Sequence, residues 1–398
     1  MPFMRRRVRG LETEYGLAIQ VLADHHIGDN EVWRPLGADE AANQFFRPMA
    51  IKRGTTNCYL KNGGRLYLDV GSHPEYATPE CDRIVELLAH DRAGDRIIDD
   101  LADRAVTLLA SEGITARVQI YKNNTDSTGN SYGSHENYQV SREIPQREWA
   151  QALSPFMVTR QLLCGAGRWM PDDQGKGRLW LSQRAAHLWD PVASTTTRSR
   201  PLVNSRDEPL ADPTKWRRLH VMVGDSNLAQ PSLALRIGST ELMLRAIEDG
   251  QRFDDLQLAD PASAIREVAQ RRDGRARIEL VDGRRLTTLD ILGTLRERVE
   301  AYAEDDLELH KALEAWSGVI SAVADREHAR IDRSIDWAIK ERLMLEYARR
   351  HKLTAHAPVL GELCLAYHDI HRAGDGRARG LYACLLYTSD AADDSLRV

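Results

Sequence analysis

Glu12 and Glu14 are separated by a single threonine, and in an extended strand that spacing places both carboxylates on one face. Two carboxylates lining a cavity are what a hard divalent cation such as Mg2+ requires of its ligands. Two solvent-facing glutamates on a strand would leave the same pattern. A second constellation lies at residues 65–76. Residues 65–70 alternate strictly, so Arg65, Tyr67 and Asp69 share one face while Leu66, Leu68 and Val70 point to a core. With Gly71-Ser72-His73-Pro74-Glu75-Tyr76 behind them, this span gathers a cation, a phenol and two carboxylates. A solvated antiparallel sheet also alternates polar with apolar residues, and His73 by itself reads as structural.

Residues 123–138 are too polar for a core and are flanked by strand-like runs at 118–121 and 138–140, the pattern of a substrate-facing or an ordinary polar loop. Arginines in residues 195–200, at Arg206 and at Arg217-Arg218 offer guanidinium forks for phosphates or carboxylates, with surface ion pairing as the competing explanation. None of these segments is a common nucleotide motif. There is no GxxxxGK[ST], Gly165-Ala166-Gly167 is too short for a dinucleotide fingerprint, and His135-Glu136 lacks the second histidine of a zinc-protease helix. Any ATP used here is held without a P-loop.

The elements that must position these residues follow from periodicity. Residues 219–223 and 233–237 read as further strands, and residues 82–111 and 241–248 as helices, the second behind a cap at Ser239. Residues 288–350 are helix-rich, with apolar stripes at Leu307, Leu313, Trp316, Ile320 and Val323 and at Ile331, Ile335, Ile339 and Leu343. Gly63-Gly64 and Asp282-Gly283 close hairpins and Asp273-Gly274 marks a turn.

Composition narrows the class. At 398 residues, 42% hydrophobic and 28% charged, the chain has the make-up of a soluble globular protein with a sizeable core. A net charge of -5 gives no basic footprint for nucleic acid, and no stretch approaches the roughly 20 apolar residues of a membrane helix. Five cysteines without a CxxC pair, and a start without an apolar core, fit a reducing cytoplasm. Residues 384–398 break the pattern and look like a translated sequencing-library adapter, which implies a natural chain cut near Ala383.

Gly10-Leu11-Glu12-Thr13-Glu14-Tyr15-Gly16, the run from Arg65 through Glu75 to Thr78, Lys122-Asn123-Asn124-Thr125-Asp126 with residues 131–138, and Thr196-Thr197-Arg198-Ser199-Arg200-Pro201 together resemble the Pup–protein ligase family of actinobacterial proteasome systems. The resemblance covers residues 6–382. It implies an α+β fold: a glutamine-synthetase-like curved antiparallel sheet backed by helices over residues 1–383, sheet-rich to 290 and helix-rich beyond. It also implies a small C-terminal domain that is missing here, together with a tryptophan that contacts ATP. The implied cofactors are ATP and Mg2+, and the implied partners are the small modifier Pup and lysine-bearing target proteins. Carried over by position, Glu12, Tyr67 and Glu75 match the magnesium site, Arg65 and Thr78 the ATP contacts, and Asp69 the catalytic base. Arg198, Arg218 and His220 are weaker candidates for holding the modifier's terminal carboxylates or the γ-phosphate. Residues 69–78, 164–167 and 197–200 are similar to the ligase rather than to its sister deamidase, and the short 28–57 connection leaves little room for the deamidase's extra loop. The alternatives are that deamidase and an inactive Pup-binding fragment.

Overall fold

The computed structural model describes residues 3–23, 31–126, 129–171, 176–193, 200–204, 206 and 211–372. The chain forms two compact units, one of Met1–Leu11, Glu80–Leu88 and Gly133–Cys364, the other of Glu12–Pro79, Ala89–Tyr132 and the segment that follows Cys364. The adapter-like residues 384–398 lie outside the described residues.

In the second unit, strands Pro74–Ala77, Arg65–Leu68 and Asn57–Tyr59 run antiparallel in that order, with the end of the strand Arg9–Glu14 paired to the first of them. Gly63, at φ 83°, turns the chain between Asn57–Tyr59 and Arg65–Leu68, as the Gly-Gly pair suggests. A three-stranded antiparallel sheet, Trp33–Pro35, Gly16–Leu22 and Ala116–Tyr121, completes the β-structure of this unit. Its core is built from Tyr15, Phe45, Phe46, Leu66, Tyr76, Ile98 and Val118, which join the sheets to helices Ala38–Arg53 and Ile84–Ser111.

Tyr76 fixes the central strand in place. Its ring is buried, its hydroxyl accepts a hydrogen bond from Asn62 Nδ2 at 2.9 Å, and glycines press on it from two directions. A Cβ at Gly64 would come within 2.5 Å of its hydroxyl, and one at Gly94, in the helix Ile84–Ser111, would clash with the Cγ–Cδ1–Cε1 edge of its ring. Beneath the same sheet, Lys122 Nζ is buried between Asp91 at 2.7 Å and Asp95 at 2.9 Å, and Tyr15 donates its hydroxyl to Asp95 at 2.8 Å. Removing one partner of such a buried pair costs about 3–5 kcal/mol, because the other charge is stranded.

In the first unit, Ser134–Ser141 and Trp216–Val221 pair antiparallel, Arg200–Asn204 pairs antiparallel with Trp216–Val221, and Leu188–Ala193 adds in parallel. Helices cover them, and Trp149, Phe156, Trp316 and Trp337 fill the core. The expected strand at 233–237 is instead part of the helix Gln230–Glu248. Leu233, Leu235 and Ile237 are all buried because this helix is enclosed on every side, so its apolar residues carry no face signal. Ser239 is therefore mid-helix rather than a cap, its Oγ donating to the Leu235 carbonyl at 2.5 Å. The 82–111 helix, the Asp282-Gly283 hairpin and the helical 288–350 region follow expectation, apart from Leu307, which opens its helix at 75% exposure, while the strand expected at 219–223 runs instead from Trp216 to Val221. Among the described residues no helix is long and apolar enough to cross a membrane.

Because the Tyr76 ring cannot retreat between two close glycines, Gly94→Ala is expected to destabilise the protein by about 1–3 kcal/mol. The intrinsic helix gain of about 1 kcal/mol for alanine over glycine is the smaller effect. A urea midpoint at or above wild type would show that the ring has room to move.

Candidate functional site

The site is assembled by register. Glu14 lies opposite Glu75, and Glu75 lies opposite Tyr67, so the three occupy one row across three antiparallel strands. Two residues along, Glu12, Ala77 and Arg65 form the next row on the same face. Alternation in the sequence had placed Arg65, Tyr67 and Asp69 together; the register adds the two glutamates of the first strand and Glu75.

Oxygens of Glu14, Asp69 and Glu75 all lie within 4.8 Å of one another. Glu14 and Glu75 are buried, while Glu12, Tyr67 and Asp69 are half-buried. Burial, followed by the neighbouring carboxylates of Glu14 and Glu12, pushes the Glu75 carboxyl well above the usual carboxylate range. Burial and the carboxylates of Glu75 and Glu12 likewise push the Tyr67 phenol upward, so it stays protonated and donates to Glu75. Arg65 borders the cluster: its guanidinium stands 4.5 Å from the centre of the Tyr67 ring and its Nε donates to Asn57 Oδ1 at 2.9 Å. Thr78 sits one residue beyond the strand Pro74–Ala77 and is half-buried.

The strand carrying Tyr67 ends at Leu68, earlier than its alternation suggests. Val70, expected in the core, is 81% exposed because the chain reverses there. Gly71 and Ser72 adopt φ of 92° and 65°, Ser72 N donates to the Asp69 carbonyl at 3.2 Å, and Asp69 N donates to the His73 carbonyl at 3.0 Å. The left-handed conformation costs a non-glycine residue roughly 1–2 kcal/mol. Asp69 is thus presented at the neck of a tight hairpin.

Residues 123–138 are not one loop. Asn123, Asn124, Tyr132, Ser134 and Glu136 are buried, and a strand begins at Ser134; residues 127–128 lie outside the described residues. The polarity that suggested a substrate-facing loop serves internal hydrogen bonding, as in the Asn124 side-chain amide donating to the Tyr132 carbonyl at 3.2 Å. Arg218 and His220 belong to the first unit. Arg218 Nε donates to Asn137 Oδ1 at 2.6 Å, and the buried His220 packs edge-to-face on His135 with centroids 5.0 Å apart. Arg198 lies outside the described residues.

The strand spacing read Glu12 and Glu14 as one pair, and the family resemblance matched Glu12 alone to a magnesium-site position. Their shared spacing contains no signal to separate them. The register seats Glu14 opposite Glu75 and Glu12 opposite Ala77 in the next row.

A family profile described as "Pup-ligase protein" matches residues 7–392. The Pup–protein ligase of Corynebacterium diphtheriae is 47% identical over 382 residues, covering 93% of this chain and 77% of that protein. That of Paenarthrobacter aurescens is 44% identical over 386 residues, covering 96% of this chain and 82% of that protein. A solved complex of the prokaryotic ubiquitin-like protein Pup with its ligase PafA matches with a TM-score of 0.86 at 39% identity, covering 98% of this chain and 78% of that one. The ligase PafA in complex with ADP matches with a TM-score of 0.77 at 39% identity, over 93% and 82% of the two chains. The α+β expectation, antiparallel strands with packed helices, agrees with these likenesses, and by profile, identity and fold this chain belongs to the Pup-ligase family.

Proposed function

We propose that the acidic face of the second unit is where this ligase uses Mg·ATP to activate the C-terminal glutamate of Pup and join it to lysine side chains of target proteins. The observation that carries this reading is the Glu14–Asp69–Glu75 cluster, whose oxygens lie within 4.8 Å of one another. Carboxylates massed at a buried position repel unless one keeps its proton or a cation joins them. An all-oxygen donor set suits Mg2+, with Glu75 and Glu14 as ligands and Glu12 and Tyr67 beside them. When bound, the ion would neutralise charge on the nucleotide's phosphates. The relatives named as Pup–protein ligases, and the likeness to a ligase bound to ADP, support a nucleotide here and favour ligation over deamidation.

The chemistry needs activation because a carboxylate would have to expel oxide. The γ-carboxylate of the terminal glutamate attacks the γ-phosphorus, the bond to the bridging oxygen breaks, and ADP leaves. Arg65, at the border of the cluster, faces the transferring group, and Thr78 completes the nucleotide contacts. The incoming lysine amine, with a reference pKa near 10.4, must give up a proton before it attacks the acyl carbon and expels phosphate. Asp69 takes that proton. Arg218 and His220 are proposed to hold anionic groups of the modifier, and Arg198 with them. The scattered cysteines support a reducing cytoplasm as the compartment for this work.

Asp69→Asn is expected to abolish isopeptide formation while Mg-dependent nucleotide binding persists; full ligation by this variant sinks the base assignment. Glu75→Gln should separate stability from function. A carboxyl whose folded pKa is raised binds its proton more tightly when folded, so it takes stability away as pH climbs past the unfolded value of about 4.3. The variant should therefore melt higher than wild type at about pH 8, show little difference near pH 4, and lose Mg2+-dependent protection. A lower melting point at the higher pH, or undiminished protection by Mg2+, contradicts the assignment. Arg218→Glu should weaken binding of a labelled Pup in anisotropy titrations and leave ADP affinity unchanged, and equal Pup affinity would remove Arg218 from the site.

A further inference from the structure

Two tethers hold the 69–73 hairpin. At one, His73 Nδ1 lies 3.2 Å from the Tyr15 carbonyl; a carbonyl can only accept, so Nδ1 carries the proton and donates. The same ring stacks on Tyr132, with centroids 4.1 Å apart and planes at 26°. Both supports are buried and hydrogen-bonded in their turn. Tyr15 is fully buried, its N donates to the Pro74 carbonyl at 2.8 Å, and its hydroxyl is held by Asp95. Tyr132 is buried and its hydroxyl bonds to Asn123. At the other tether, Ser72 Oγ donates to Asp39 in the first turn of the helix Ala38–Arg53.

Between the tethers the backbone is in a conformation it would not choose. Ser72 has φ 65°, directly after Gly71 at φ 92°. Such a turn persists where surrounding contacts over-determine it, and those contacts are at Ser72 and His73 themselves. Asp69 closes the same hairpin through its backbone, donating to the His73 carbonyl and accepting from Ser72. Any relaxation of the turn moves Asp69 relative to Glu14 and Glu75.

We propose that His73 and Ser72 are positioning residues for Asp69, tying its hairpin to Tyr15 and Asp39 so that its carboxylate is aimed at the attacking amine. This rests on the reading of Asp69 as the base. A misplacement of about 1 Å in a proton-transfer group lowers a rate by up to about a hundredfold.

The test measures ligation of Pup to a lysine target, ADP affinity and melting temperature for His73→Phe, His73→Asn, Ser72→Ala and Asp69→Asn. His73→Phe keeps a stacking ring and loses the donor, and is expected to lower kcat by about tenfold to a hundredfold while the KM for ATP, ADP affinity and melting temperature stay close to wild type. His73→Asn restores a donor at the Nδ1 position and should recover most of that loss. Ser72→Ala cuts the second tether and should show the same kcat-specific defect. Wild-type kcat in His73→Phe and Ser72→Ala overturns the proposal, as does a kcat loss that tracks a fall in melting temperature or ADP affinity. Failure of asparagine to rescue overturns the hydrogen-bond tether. If Asp69→Asn is inactive while the hairpin variants are unaffected, only the positioning role falls. If Asp69→Asn ligates normally, the base assignment falls and the proposal falls with it.

Discussion

Three strands meet at Glu75, and the pairing that sets Glu14 on one side of it and Tyr67 on the other governs the rest of the second unit. A slip of one residue in either pairing would send the carboxylates to the opposite face. The hydrophobic pattern guards against that slip. Leu66 and Tyr76 are buried on the reverse face, so any misregister would exchange core residues for charges. The acidic face and the apolar core are thus two readings of one alignment.

The same alignment sets up an electrostatic conflict. Glu75 is nearly withdrawn from water with two other carboxylates beside it, and its folded form favours the proton. Elsewhere in the unit a comparable density of acid is resolved internally, with Lys122 lying between Asp91 and Asp95. The contrast separates scaffold from site. Acidic groups that serve the fold, such as Asp91 and Asp95, carry their counter-charge in the chain, and at the row of Glu75 the proposed Mg2+ would supply it.

Much of this was legible in the sequence. Strict alternation identified the face shared by Arg65, Tyr67 and Asp69, and helical periodicity found the 82–111 helix and most of the C-terminal helices. What was hidden had physical causes. Leu233, Leu235 and Ile237 alternate like a strand but lie in a helix buried on all sides, where apolar periodicity vanishes. Val70 continues an alternation whose strand has already ended, because the reversal is written in Gly71 and Ser72 rather than in hydrophobicity. That Glu14, rather than Glu12, lies directly opposite Glu75 depends on a partner strand some sixty residues away, a relation that local spacing does not carry.

Gly64, Tyr76 and Gly94 behave as one lock of three parts. A tyrosine ring closed in by two glycines leaves each position's tolerance hostage to the other two: a methyl group becomes acceptable at 94 only when the ring at 76 shrinks. Thermodynamically the three should be strongly non-additive, with a smaller side chain at 76 partly relieving an alanine at 94. The strand that carries Glu75 is therefore held against Gly94, in the interior of the helix Ile84–Ser111, where a poor helix-former leaves the Tyr76 ring its space.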